Sequence, residues 1–315
     1  MNKTLLSALV LAGFAGAASA QVSLYGLLDV SFGKSIADDA AGTASDLHSG
    51  GDSGSGQGNS TSRIGVKGST DVGSGVKANF KFETNGITSD GDIPGAFFNR
   101  QAWVGFSGGF GEVRLGRQDS VPFQTMIGYD FNGASNGVSA LGYAGVAPWD
   151  PRATAGRQSR SIQYILPTMG GFTAQFGLVP KGTVAGAKST ASVGVTFAQG
   201  AFAVTGALET KRATGGSDFK SLAASYDLGV AKLMVATANG GATAKGQSFG
   251  VVAPIAGVSV GMLYGKNSGT KGSAWEIFAN KEILKNTYAY AEIGKADAKT
   301  GTDGQGMAIG LIYTF

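Results

Sequence analysis

The carboxyl-terminal stretch Met307-Ala308-Ile309-Gly310-Leu311-Ile312-Tyr313-Thr314-Phe315 places a large apolar side chain at every second position and ends on an aromatic. Successive residues of a strand point to opposite faces. Met307, Ile309, Leu311, Tyr313 and Phe315 therefore make one continuous apolar face, and Ala308, Gly310 and Thr314 a smaller one. A water-soluble fold would bury such a face under a second layer, whereas a strand against lipid needs no second layer.

The other end of the chain agrees with a membrane setting. Lys3 gives a positive start, Leu5 to Ala15 is apolar, and Ala18-Ser19-Ala20 is a small-x-small cleavage pattern. These features predict a secretory signal peptide over 1–20, cleaved before Gln21, because the apolar run is too short to span a bilayer. Loss of Lys3 lowers the net charge from +4 to +3. So mild a balance argues against a dedicated nucleic-acid binder. The chain has no cysteine, which removes both disulfides and thiolate metal sites.

After Gln21 no apolar segment reaches the roughly 20 residues of a membrane helix. Short alternating segments follow instead. In 22–34, Leu24, Gly26, Leu28, Val30 and Phe32 oppose Ser23, Tyr25, Asp29 and Ser31. In 76–83, Val76, Ala78, Phe80 and Phe82 oppose Lys77, Asn79, Lys81 and Glu83. With 63–67, the remaining strands are expected at 99–107, 111–118, 160–166, 171–179, 189–198, 201–211, 218–227, 230–238, 247–253, 257–266, 273–281, 286–296 and 306–315. An even total of about sixteen puts both termini at one end. The connections alternate between tight turns and longer polar loops, as in an outer-membrane barrel but not in a soluble sandwich. Backbone groups in hydrocarbon must all be paired, so the sheet has to close. The predicted fold is all-β: one domain over 21–315, a 16-stranded antiparallel transmembrane β-barrel with short periplasmic turns and long external loops. Sixteen strands enclose a water-filled lumen, which reconciles a membrane protein with only 43% apolar residues.

The stretch 119–159 is too long and too aromatic for a simple connection. It carries Phe123, Met126, Ile127, Tyr129, Phe131, Leu141, Tyr143, Val146 and Trp149. It is expected to fold into the lumen as a constriction loop, bringing Asp119, Asp130 and Asp150 opposite basic wall residues. The basic side is drawn from Arg63, Lys67, Lys77, Lys81, Arg100, Arg114, Arg117, Arg157 and Arg160. A strip of positive charge across from loop acids would orient dipolar solutes and favour anions modestly. Arg117 shares the parity of Val113 and Leu115, and Arg160 that of Ile162, so both are expected near a rim or beyond a bulge. Gly26, Gly65 and Gly68 leave small patches where another barrel could approach.

Several segments resemble the Gram-negative general porins of the trimeric beta-proteobacterial kind. They are Gln21-Val22-Ser23-Leu24-Tyr25-Gly26-Leu27-Leu28-Asp29, Ser62 to Gly68, Asn99 to Phe106, Gly108 to Gln118, Arg157 to Tyr164 and the terminal Phe315. The resemblance covers the mature chain and is most specific in its first half. It implies an outer-membrane channel for passive passage of small hydrophilic solutes and ions, a homotrimer, and a third loop folded inward. It also implies contact with outer-membrane lipids and lipopolysaccharide, handling by periplasmic chaperones and the barrel assembly machinery, and Phe315 as an assembly signal. No cofactor is implied. The family often carries arginine at the position of Gln163, and its absence weakens the case for strong anion selectivity.

Enzymatic readings are weak. His48 is the lone histidine and lies in a Gly/Ser/Asp-rich loop; Glu83 and Glu112 balance Lys81 and Arg114 more simply than they form an acid/base pair; Asn85, Asp90 and Asp92 read as a solvated loop. The alternatives are a substrate-specific channel, which needs convergent polar groups or aromatics on the solute path, and a barrel adhesin.

Overall fold

The computed structural model describes residues 21–52, 57–147, 156–183, 188–211, 217–299 and 303–315. The expected leader at 1–20 lies outside the described residues, as do Trp149 and Asp150. The strands are β1 (Gln21–Lys34), β2 (Asp46–Ser49), β3 (Arg63–Gly73), β4 (Val76–Glu83), β5 (Gln101–Gly108) and β6 (Gly111–Asp119). They continue with β7 (Arg157–Ile165), β8 (Phe172–Val179), β9 (Thr190–Gln199), β10 (Phe202–Glu209), β11 (Phe219–Asp227) and β12 (Lys232–Asn239). The last five are β13 (Lys245–Ile255), β14 (Val258–Asn267), β15 (Ser273–Leu284), β16 (Thr287–Asp297) and β17 (Gly304–Thr314).

All strands but β2 make one closed antiparallel barrel of sixteen. From β3 onward each strand pairs with the next in sequence, and β1 closes the ring by pairing with both β3 and β17. The short β2 leans on the upper part of β1, where Val30 opposes Ser49. Closure is completed at Phe315, whose N–H donates to the Gly26 carbonyl and whose carbonyl accepts from the Gly26 N–H.

Sidedness follows the alternation read from the sequence. On β1, Leu24, Leu28, Val30 and Phe32 are 41–64% exposed, whereas Asp29 and Ser31 are 0% and 3% exposed. An apolar outside around a polar inside is the reverse of a soluble barrel and is the solution required in lipid. Aromatics gather near the tight-turn rim, where Phe110, Phe172, Phe202, Tyr226, Tyr288, Tyr313 and Phe315 are exposed. This is the interfacial girdle of a membrane barrel. Tyr25 and Tyr290 are not part of it: Tyr25 bonds Glu83 and Tyr290 bonds Asp29, both inside the wall. The turn between β13 and β14 is built on Ala256 and Gly257, at φ +51° and +76°. Positive φ at both central residues matches the right-handed strand twist and keeps that hairpin tight.

Two expectations change. Gly26, Gly65 and Gly68 are not bare patches, because the rings of Phe315, Tyr25 and Phe80 from the same chain cover them. The first external loop also does more than connect. Its helix Ile36–Ala40 starts at Ser35, whose hydroxyl accepts from the Asp38 N–H while Asp38 accepts from the Ser35 N–H. Ile36 is then buried against Gly304 and Gly306 of β17, and 57–62 turns back into the barrel.

Candidate functional site

The loop between β6 and β7 enters the lumen and, over 120–147, runs along the inside of the wall from β8 to β17. It leaves the wall through the helix Val121–Met126, capped by Ser120 with proline in its first turn. Val121 and Thr125 pack where Gly177 and Gly194 lack side chains; a Cβ on Gly194 would sit 2.5 Å from Thr125 Cγ2 and 2.8 Å from Val121 Cγ1. A second helix, Ala140–Tyr143, lies on β14, β15 and β16, and Ala144 occupies the space left by Gly265. Met126, Val138, Leu141 and Val146 join Ala223, Met234, Ala236 and Ala274 of the wall in one buried apolar cluster. Strand glycines and alanines on this side are therefore seats for the loop.

Polar ties fix the loop at both ends. Buried Gln163 donates to the Asp119 carbonyl at 2.7 Å and accepts from Gln124 at 2.9 Å. At the far side Glu292 accepts from Asn132 (2.9 Å), Ser135 (2.8 Å) and Asn59 (2.9 Å), and Glu276 accepts from the Ala140 N–H. Asn59 belongs to the first loop, and its backbone N–H also donates to Asp29 at 2.9 Å. Two loops, not one, thus shape the constriction.

Facing the loop, charge converges on one wall carboxylate. Glu83 accepts from Arg100 Nε at 2.7 Å and from the Tyr25 hydroxyl at 2.8 Å. Lys81 lies 3.5 Å and Arg63 3.8 Å from the same carboxylate. Arg63 also donates to the Thr61 carbonyl at 2.6 Å. Arg157 is 3.2 Å from Asp119 and stands over the Phe123 ring, within electrostatic reach of Arg63 and Arg100. Its contact with Asp119 is an ion pair without an aligned hydrogen bond. The site thus holds four cations (Arg63, Lys81, Arg100, Arg157) against two carboxylates (Glu83, Asp119), a local excess of positive charge.

The other candidate residues are placed differently. Lys67 sits beside Lys81 over the Tyr25 ring. Lys77 is exposed at the tight-turn end, opposite Asp71. Arg114 is tied to Glu112 at 2.7 Å and stacked on Trp103, so its charge is largely spent locally. Arg117 makes no ion pair in the cluster, though it lies within electrostatic reach of Asp119. Gly116 at φ +139° and a register shift against β7 turn Arg117 to the Asn99 carbonyl and the Ser159 hydroxyl. Arg160, at φ +55°, is exposed near Gly182 and is also apart from it.

Asp130 departs most from expectation. It is 3% exposed, accepts from Ser139 at 2.6 Å, and lies with Glu276 on the side of the loop away from the arginines. Burial raises its carboxyl above the usual range, opposed by the Ser139 hydrogen bond. It ties the loop to the wall instead of facing solutes. His48 lies 3.8 Å from Asp52. Among the described residues no group of three or more His, Cys, Asp or Glu side chains is arranged to hold a metal.

A closed sixteen-strand barrel narrowed by an inward third loop is now joined by sequence comparison: the family description "Gram-negative porin" matches residues 7–313. The chain belongs to the Gram-negative porin family. Outer membrane porin protein 32 of Delftia acidovorans is 38% identical over 247 residues, covering 74% of this chain and 68% of that protein. An outer membrane porin protein of Bordetella pertussis is 34% identical over 190 residues, covering 56% of this chain and 47% of that protein. A solved structure described as "Anion-selective porin from Comamonas acidovorans" superposes with a TM-score of 0.76 at 27% identity, covering 94% of this chain and all of that one. This porin is therefore an outer-membrane channel barrel, and porins are not enzymes.

The seating of the loop has a measurable consequence. Gly265→Val should collide with the Ala144 methyl and the Ala140 carbonyl, neither of which can swing aside. Overpacking of this kind costs about 1–3 kcal/mol, enough to displace a loop locally. Single-channel conductance of the variant should rise, and its current noise with it. Conductance equal to wild type would mean the loop is not seated there.

Proposed function

We propose that this porin is a general diffusion channel, passing small hydrophilic solutes and ions passively with a weak preference for anions. The excess of four cations over two carboxylates at the constriction carries the proposal. The wall charges reach water on one side and loop groups on the other, so a passing anion meets more favourable than unfavourable charge. Glu83 and Gln163 keep that preference modest: one neutralises part of the cluster, and the other is a neutral anchor. Tyr129 and Phe131 pack toward the wall, which leaves Tyr143 as the exposed aromatic among the described residues of the loop and favours broad permeability over recognition of one solute by a row of aromatics. Liposome swelling with neutral sugars of increasing size should show graded rates falling with size. Saturable uptake of a single solute would contradict general diffusion.

The same reading includes a homotrimer in lipopolysaccharide-containing outer leaflet, assembled by periplasmic chaperones and the barrel machinery. Phe97 and Phe98 of the second long loop support it, as they are exposed at 56% and 43% and pack edge to face. A native mass of three chains is expected; a single-chain mass would remove the trimer from the account.

A further inference from the structure

We infer that the lumen wall at the tight-turn edge of the constriction carries an oxyanion station, centred on Lys67 and on Lys81, which it shares with the Glu83 cluster, and fitted to a small dianion such as inorganic phosphate. The inference rests on the diffusion-channel reading. Lys67 and Lys81 are direct cross-strand partners in the register of β3 and β4. Like charges directly opposite each other destabilise a sheet pair, so the arrangement calls for a counter-charge. Lys81 shares Glu83, but no carboxylate lies within ion-pair distance of Lys67 among the described residues. Both ammonium groups converge on one face, 5.3 and 5.4 Å from the centre of the Tyr25 ring.

They border a cavity of about 550 Å³ that is also lined by Ser23, Ser69, Asn79, Ser107 and Glu112, the last already neutralised by Arg114 at 2.7 Å. Ser69 donates to Asn79 Oδ1 and the Asn79 amide donates to the Ser107 hydroxyl, each at 2.8 Å. That direction of donation leaves the Ser107 hydrogen unspent. Ser23 stands directly opposite Lys67 across β1 and β3. Two ammonium groups and two hydroxyl donors match an oxyanion with several acceptor oxygens. Chloride, a single charge, satisfies only part of the set.

The test is chloride current through the intact channel in a planar bilayer, with inorganic phosphate added from the tight-turn side. Wild-type current should fall along a saturating curve. Lys67→Gln and Lys81→Gln should each raise the half-effect phosphate concentration about tenfold, the loss of one charge-assisted contact. Lys77→Gln removes the same charge about 13 Å farther along β4 and should shift it by about twofold or less. A linear response to phosphate in a conducting channel overturns the station alone, as does a Lys77→Gln shift equal to that of Lys67→Gln. A channel that never conducts overturns the station and the diffusion reading together.

Discussion

Replacing Arg63 and Arg100 together by glutamine should abolish the anion preference, leaving two cations against two carboxylates at the site. These two arginines and Lys81 surround Glu83, so removing both leaves that carboxylate with one cation in place of three. A unit charge about 6 Å from a passing ion in water is worth about 0.7 kcal/mol, or a factor of about three in local ion population. Two charges therefore amount to about tenfold in the local population of either ion, in opposite directions, so the ratio of anion to cation permeability should change by about tenfold or more after screening by salt. Arg114 is the weaker choice despite its lumen parity, because Glu112 and Trp103 already hold it. Reversal potentials of the variant at low and high salt would check both size and origin, since the shift should shrink as the Debye length falls below about 10 Å. An unchanged potential would take these arginines out of the selectivity account.

Deleting Phe315 should lower the yield of assembled barrel about tenfold while leaving the conductance of each inserted pore unchanged. The residue closes the seam with two backbone hydrogen bonds to Gly26, at 3.0 and 3.2 Å, and its ring fills the space above that glycine. Losing one aromatic contact and two hydrogen bonds costs about 2–4 kcal/mol, sufficient for a tenfold effect before any loss of recognition by the assembly machinery. Heat-modifiable mobility on gels measures the assembled fraction, and bilayer recording measures the pore. Normal yield, or normal insertion with altered conductance, would contradict this role.

The barrel was legible because lipid and lumen write opposite preferences onto alternate residues. β1, β4 and β17 read correctly from that rule alone. Boundaries slipped where alternation breaks: β7 starts at Arg157, not at 160, because the left-handed backbone at Arg160 inserts a bulge between its two halves. The same irregularity, with Gly116, removed Arg117 and Arg160 from the positive cluster.

The site was legible in part. Parity placed Arg63 and Lys81 on the inner face but set Arg100 with the outward Val104 and Phe106, and it could not show that all three share Glu83. That meeting depends on register, with Glu83 facing Gly65 on one side and Gln101 on the other. Asp130 was misplaced because a residue in an irregular loop has no periodicity to reveal its side; its burial against β15 and β16 emerges only once the loop is seated. The inward turn of the first loop was invisible for the same reason. Its one retrospective signal is the concentration of glycine and small polar residues at 57–62, which lets the backbone approach Asp29 and Glu292. The sequence alone assigned no role to the individual glycines of β8, β9, β13 and β14. Those at 177, 194, 246 and 265 leave room for the constriction loop.

The measurement that bears most directly on the central claim is the zero-current potential of the wild-type channel across a potassium chloride gradient. Four cations against two carboxylates at the narrowest part predict a persistent, ohmic channel whose potential takes the sign of modest anion preference and declines as salt is raised. A potential of cation-selective sign, or no stable conductance, would contradict the account.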